Sequence, residues 1–374
     1  MRKEERLKDN KDEFEVKKSK KKALLEKAKQ EDPDEYYTLY ADIAAELSLY
    51  REQFKRKRII CPCDWDESFE TEIVYNDGDF VDPDGLFDEG DTIKNVDIEQ
   101  TSKRFEKDIN LIKCNFIKFL VSHAEAYGIK SISVSGYNPE TGKGIKFQNI
   151  DYSKYDLVIT NPPFSQFNEF IPLLIKNNVE FLVIGPLNAI SYKEIFNYIK
   201  DGVVWCGYHD SFSGFDLPDG SRVKRGDCLW YTNMDVKYRH DKMILTEKYD
   251  PDRYPNYFNY DGIDVDSVNA IPYDFDGHMG VPVGFLLKFN PDQFEIIGLG
   301  AQVDKKYKHT VSGDDIVWLD ENDNVIYSVP YTVKERKMGN SLRISIDGKP
   351  GTAPYARLII KNKEVFHDED WRII

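Results

Sequence analysis

A chain of 374 residues with 41% hydrophobic and 13% aromatic side chains is long enough to bury one large core or two, and it needs no covalent staples to fold. It has no apolar run of the roughly eighteen residues a membrane span needs, and its charged N-terminus lacks the apolar centre of a signal peptide, so the reading is of a soluble cytoplasmic protein. A formal net charge of -15 and a pI near 5.0 exclude a broadly basic nucleic-acid-binding face, though not a narrow basic cleft.

An odd set of five cysteines without an export signal argues for free thiols. Cys61 and Cys63, in "CPCDWDES", stand closer than the thiolate pairs of structural zinc sites, so they read as small buried residues after a strand and no metal is expected.

In chain order, residues 1–30 carry about a dozen Lys and Arg against about seven acids and read as a solvated basic arm. Helical spacing of Tyr40, Ile43, Leu47, Tyr50 and Phe54 predicts a helix in "DEYYTLYADIAAELSLYREQF". "KRIICPC" is a short buried strand. The acidic residues 66–108, with Asp-Gly and Asp-Pro turns, read as an insertion. "LIKCNFIKFLVSHAEAYG" is an amphipathic helix that Gly128 can end, and "KSISVSGYN", "YDLVIT" and "FLVIGP" are strands. Between the last two lies a helical segment that Pro172 should kink or truncate. "SYKEIFNYIKDG" is a further helix, and "VVWCGY" and "DCLWYTNMDV" are further strands. Strands alternating with helices predict an α/β domain over 31–240 with a parallel sheet covered on both faces. From 241 to 374 the chain is rich in Tyr, Asp, Pro and Asn, with short β-like runs "GVPVGFLLKF", "DDIVWLD", "NVIYSVPYTV" and "YARLIIKN", which predict a second, irregular and partly β region.

The chemistry is sought at "DLVITNPPFS", where an apolar strand runs directly into Asn161, Pro162, Pro163 and Phe164. Ligands of open α/β sheets bind outside the carboxyl ends of the strands. Two successive prolines stiffen the backbone there and supply carbonyls without N–H donors. The side-chain carbonyl of Asn161 and the main-chain carbonyl of Pro162 can together accept both hydrogens of a planar amine, while Phe164 offers a ring for stacking and Ser165 a helix cap. An aromatic amine is a weak nucleophile because its lone pair is delocalised. Holding both N–H bonds out of the ring plane localises that pair toward an electrophile without a strong base.

This tetrapeptide resembles the catalytic motif of amino-group methyltransferases. With "DEYYTLYADIAAEL", "YREQF", "CNFIKFL", "TNPPFSQFNEFI", "FLVIGPLNAISYKEIFNYIK", "CLWYTNMDV", "HMGVPVGFLLKFNP" and "YARLIIKNK", over roughly residues 34 to 363, the chain resembles the EcoRI-type adenine-specific DNA methyltransferase family. The resemblance implies an α/β fold with a Rossmann-like class I methyltransferase sheet, residues 31–240 as the catalytic domain, and 241–374 as the DNA target-recognition region. It implies S-adenosylmethionine as methyl donor and double-stranded DNA as partner, with a cognate restriction endonuclease acting on the same site as a second partner. Asn161 and Pro162 would hold adenine N6, Pro163 would stiffen the loop, and Phe164 would stack on a base flipped from the duplex. Tyr36, Tyr37 and Thr38 match the family's aromatic-Thr motif near the methionine end of the cofactor, and Cys61, Pro62, Cys63 and Asp64 occupy its cofactor loop. That loop lacks the glycines of a standard nucleotide turn, and the family's Gly-Asp-Phe segment before the catalytic strand is replaced by "KFQNIDYSKYD", where Asp151 is the substitute.

Phosphate contacts are assigned to two basic clusters, Arg222, Lys224 and Arg225, and Lys237, Arg239 and Lys242. Two other functions remain open on sequence: methyl transfer to RNA adenine or protein glutamine, and a non-catalytic DNA-binding protein on a degenerate methyltransferase fold.

Overall fold

The structure, a computed structural model, describes residues 37–64, 71–73, 94–107, 113–136, 145–217, 220–224, 226–330, 341–351, 354 and 356–365. The basic arm, Tyr36, Arg225 and much of the acidic stretch lie outside the described residues.

The chain divides into two compact units, one built on residues up to Leu173 with Val183–Pro186 and Ser211–Cys228, the other on Leu174–Leu182, Leu187–Asp210 and Leu229 onward. It opens with β1 (Tyr37–Thr38) and helix α1 (Tyr40–Leu47), which continues as a 3-10 helix through Phe54. Ile43, Leu47, Tyr50 and Phe54 are fully buried, as their spacing predicts, whereas Tyr40 is more than a third exposed. The helix begins later than its periodicity suggests because Tyr37 and Thr38 pair as a strand.

Next come β2 (Arg58–Cys61), β3 (Thr71–Ile73), β4 (Lys94–Val96), α2 (Ile98–Lys107), α3 (Asn115–Tyr127), β5 (Ser131–Val134) and β6 (Leu157–Thr160). Gly128, at φ 63°, ends α3 in the left-handed conformation, and the Ile129 N–H reaches back to the Ala124 carbonyl at 2.9 Å. After α4 (Phe167–Lys176), β7 (Glu180–Pro186) and α5 (Lys193–Lys200) come β8 (Trp205–Cys206), β9 (Phe215–Asp216), β10 (Arg222–Val223) and β11 (Cys228–Thr232). Pro172 lies inside α4, which runs on to Lys176 rather than ending at the proline.

One eight-stranded sheet has the order β3-β4-β5-β2-β6-β7-β11-β8, and a small ribbon has the order β1-β9-β10. The sheet is mixed, not all parallel. β2 pairs in parallel with β5 on one side and β6 on the other, but β3 with β4, β4 with β5, and β8 with β11 are antiparallel. Thus the acidic stretch, read as an insertion, supplies two strands and α2; its turn-rich composition hid them. The buried centre follows from sequence: Ile59, Ile60, Ile132, Val134, Leu157, Val158 and Ile159 are near-continuous apolar runs, as strands covered on both faces require.

A charge pair sets the register of the two central strands. Arg58, the first residue of β2, donates to the Asp156 carboxylate from its backbone N at 2.8 Å, from Nε at 3.0 Å and from Nη2 at 2.9 Å. The hydrogen bonds from Arg58 hold the Asp156 carboxyl down to about 2, against the pull of partial burial. A carboxyl depressed on folding stabilises above its unfolded pKa and loses that contribution as pH falls through its folded one. Asp156→Asn is therefore expected to cost about 1–2 kcal/mol at neutral pH, after allowance for solvent screening. The gap from the unsubstituted protein should persist down to about pH 4 and close toward pH 2. Denaturant titrations at a series of pH values check this; a gap that does not shrink with acid contradicts it.

In the second unit β12 (Ile263–Asp264), β13 (Met279–Pro282) and β14 (Phe294–Leu299) are followed by β15 (Lys308–Ser312), β16 (Asp315–Leu319) and β17 (Val325–Pro330), then β18 (Ser345–Ile346), β19 (Lys349–Pro350) and β20 (Arg357–Asn362). They form a sheet of order β12-β13-β20-β14, a meander β15-β16-β17 and a hairpin β18-β19. Asp347 and Gly348, at φ 51° and 73°, make the hairpin's two-residue turn, which needs positive φ at both positions. "GVPVGFLLKF" is strand only as far as Pro282; Val283–Lys288 is a 3-10 helix that buries Phe285 and Leu286.

Candidate active site

After β2 the chain builds β3, β4 and β5 on one side of it and then crosses to β6 on the other, so the loops after β2 and β6 part company at neighbouring strand ends. Such a switch point opens a crevice beyond the carboxyl edge of a sheet. Asp64 lies in the first loop and Asn161 opens the second.

Asp64 ties that edge together. Its carboxylate accepts from Thr160 Oγ1 at 2.5 Å and from Cys114 Sγ at 3.8 Å, and its backbone N–H donates to the Ser135 carbonyl at 3.2 Å. The ends of β5 and β6 and the start of α3 are thereby fixed around one residue, through its backbone N–H and its carboxylate. Cys61 and Pro62 are buried, which leaves Cys63 and Asp64 as the half-exposed part of the loop. Burial pushes both the Cys61 and Cys63 thiols well up, and the Asp64 charge adds to it, so neither thiol ionises near neutral pH. All five cysteines are free, and among the described residues no cluster of His, Cys, Asp and Glu is arranged to hold a metal ion.

Asn161 is half-buried, and its Nδ2 donates to Thr38 Oγ1 at 3.4 Å. Thr38 is 3% exposed; its carbonyl accepts from Asn115 Nδ2 at 2.8 Å, and its strand pairs with β9 through Phe215. Asp42 strengthens that attachment by accepting from Ser213 N at 2.9 Å and Ser213 Oγ at 2.8 Å. Three stretches far apart in sequence, Thr38, Asp64 and Asn161, thus meet at one edge.

Past Asn161 the two prolines differ. The Pro163 carbonyl accepts from Gln166 N at 3.0 Å, closing a 3-10 turn over Phe164–Gln166, whereas no donor of a described residue reaches the Pro162 carbonyl. Ser165 lies within that turn instead of capping α4, and Phe164 is half-buried beside it. Phe167, the first residue of α4, is fully buried against Gly185 of β7, where a Cβ would come within 2.3 Å of its ring. Only glycine at 185 lets that ring lie flat, and the ring anchors the helix that the Asn-Pro-Pro-Phe loop enters.

Comparison with known proteins matches residues 24–74 and 149–363 to the family described as "Adenine-specific methyltransferase EcoRI". The chain belongs to this EcoRI-type family. The type II methyltransferase M.EcoRI of Escherichia coli is 32% identical over 91% of this chain and 97% of its own length. M.MpnI of Mycoplasma pneumoniae is 29% identical, and M.MgeORF184P of Mycoplasma genitalium 32%; each match covers 72% of this chain and 84% of the relative. No solved structure matches.

For an EcoRI-type methyltransferase the remaining candidate residues are placed unevenly. Asp151 is spent locally, accepting from Ser153 N at 3.2 Å and Ser153 Oγ at 2.6 Å and pairing with Lys154 at 3.5 Å. Arg222 is bound to Asp216 through Nε at 2.7 Å and Nη2 at 3.3 Å, and Lys242 pairs with Glu364 at 3.4 Å. Lys224 and Lys237 are exposed. Arg239 is buried with its guanidinium 4.1 Å from the centre of the Trp205 ring, a packing contact that a phosphate would have to break.

A cleft of about 530 Å³ lined by Arg56, Arg58, Gly128, Lys130 and Asp156 lies at the starting ends of β2, β5 and β6, away from Asn161, so its depth says nothing about the methyltransferase chemistry. Asn115, Thr160 and Asp42 were not singled out from sequence, because their partners lie 77, 96 and 171 residues away. The one local hint was that a Thr and an Asn flank the turn from strand to loop.

Proposed function

We propose that this DNA adenine methyltransferase transfers a methyl group from S-adenosylmethionine to N6 of an adenine flipped out of double-stranded DNA at a specific sequence. The observation that carries the reading is the place of Asn161 and Pro162 directly after β6 at the switch-point edge of the sheet, with no described donor reaching the Pro162 carbonyl. Asn161 Oδ1 and the Pro162 carbonyl accept the two N6–H bonds, bend them out of the ring plane and localise the lone pair. Phe164 stacks on the base and offsets part of the few kcal/mol that flipping costs. When bound, the cofactor supplies an electrophilic methyl carried on a sulfonium. The proton that N6 loses passes to solvent.

The crevice residues fit that cofactor in kind. The half-exposed Cys63 and Asp64 bring a loop without a glycine-rich phosphate cradle, which suits a donor that has no phosphate. In the sheet, β4-β5-β2-β6-β7 reads second, third, first, fourth and fifth in the chain order of those strands, with β11 lying between β7 and β8; the parallel trio β5-β2-β6, with its earliest strand in the middle, supports a Rossmann-like class I methyltransferase sheet. Residues 241–374 are the target-recognition region, Lys224 and Lys237 are the exposed candidates for phosphate contacts, and a cognate endonuclease acting on the same site is the further partner.

The full chain, duplex DNA of mixed sequence and methyl-labelled S-adenosylmethionine should yield N6-methyladenine in one sequence context. RNA and protein acceptors in the same tube should stay unlabelled. Label in RNA or protein, or none across the DNA pool, overturns the reading.

A further inference from the structure

Thr38 does more at this edge than its matched motif implies. The family resemblance assigns it to the methyl donor, yet its hydroxyl lies on the amide of Asn161, accepting from Nδ2 at 3.4 Å. We propose that Thr38 is a positioning residue for methyl transfer, resting on the reading above: its oxygen takes up the donor end of the Asn161 amide, so that Oδ1 is the end left to accept from the adenine amine.

The chemistry of a primary amide makes this necessary. One end of Asn161 has two donors and the other is an acceptor, and a half-turn about the last side-chain bond exchanges them. In the exchanged orientation two N–H donors would face the two N–H donors of N6, and the amine would be repelled rather than held. A base that closes over the site also removes the water that could otherwise satisfy Nδ2, and a donor left without an acceptor in a desolvated site is costly. Thr38 Oγ1 supplies that acceptor from within the protein.

Thr38 is built to hold this position. It is 3% exposed, its carbonyl is bound by Asn115 at the start of α3, and its backbone is paired with β9. The β9 approach is held in turn by Asp42 through Ser213. The oxygen therefore stands on a braced strand rather than a mobile loop. At 3.4 Å the bond is long, as catalytic hydrogen bonds often are before substrate draws the groups together.

Thr38→Val keeps the side-chain volume and removes the hydroxyl, whereas Thr38→Ser keeps the hydroxyl and removes the methyl. Single-turnover methyl transfer at saturating DNA and S-adenosylmethionine should fall about 10–100-fold in Thr38→Val, a size typical of a catalytic group misplaced by a fraction of an ångström to an ångström. Thr38→Ser should recover most of the rate. Cofactor affinity by calorimetry should stay within about threefold of the unsubstituted enzyme, because a loss confined to the transition state leaves ground-state binding intact. Two results would overturn the inference: a Thr38→Val enzyme that is as fast at saturation but binds cofactor more weakly, which leaves Thr38 to the cofactor alone, or a Thr38→Ser enzyme as slow as Thr38→Val. The unsubstituted enzyme in the same assay separates the two ideas. If it makes no N6-methyladenine the functional reading fails, whereas an active enzyme that is indifferent to Thr38→Val defeats only the positioning role.

Discussion

Asn161→Ala is expected to lower the single-turnover rate of methyl transfer by about 10²–10³-fold, the range found when one preorganised acceptor or donor aimed at developing charge is removed. The side chain opens the loop that follows β6, and the strand end behind it is fixed by Thr160 donating to Asp64 at 2.5 Å. On the proposed reading, removing the amide would take one of two acceptors from the amine and leave the Pro162 carbonyl in place, so some rate should survive. Binding should change little, because on the proposed reading flipping and stacking would rest on Phe164 and on the DNA backbone rather than on one hydrogen bond. Rapid-quench kinetics with labelled cofactor, run beside equilibrium DNA and cofactor titrations, separate the two quantities. An Asn161→Ala enzyme with full rate at saturation and weakened DNA binding would make Asn161 a base-reading residue and remove it from the chemistry.

The strand, turn and helix around Asn161 were legible in sequence because that unit is local. An apolar strand followed by Asn-Pro-Pro-Phe is a contiguous pattern, and β6, the stiff turn and α4 stand where the pattern predicts. Strands buried on both faces read as apolar runs for the same reason: each carries its signal within itself. What escaped was everything made by pairing at long range. Thr38 reads as the start of a helix, and only its partnership with Phe215 makes it a strand. The acidic stretch has no amphipathic period strong enough to show β3 and β4, whose placement comes from the edge of β5. Arg239 looks like a solvent-facing cation in "VKYRHDK", and nothing local shows that Trp205 covers it. Asp64 was assigned to the cofactor loop from its place after β2, while its carboxylate bonds to Thr160 and Cys114 depend on the packing of β6 and α3.

The second unit hides a comparable long-range device, and breaking it should produce the largest loss of stability. Asp264, at the end of β12, accepts from Tyr257 Oη at 2.5 Å and from Arg357 Nε at 3.0 Å on one oxygen, and from Arg357 Nη2 at 3.3 Å on the other. The pair is nearly sealed, with the two side chains 10% and 7% exposed. Burial, and then the Asp264 charge, raise the Tyr257 hydroxyl far above its ordinary pKa, so it remains a donor at every working pH. A Cβ on Gly280 would come within 2.0 Å of the Tyr257 oxygen, so the triad closes only because residue 280 is glycine. Asp264→Ala strands a buried guanidinium and a buried phenol together, and should cost about 3–5 kcal/mol. A sealed ion pair is itself of small net benefit once desolvation is counted, so the double variant Asp264→Leu, Arg357→Met should recover much of that loss even though it has no pair at all. Urea titrations of the full chain, followed by far-ultraviolet circular dichroism and by tryptophan fluorescence so that the units' transitions are resolved where they differ, compare the three proteins. A single variant that loses less than about 1 kcal/mol, or a double variant no more stable than the single, would mean that strand pairing among β12, β13 and β20 holds this sheet without help from the charges.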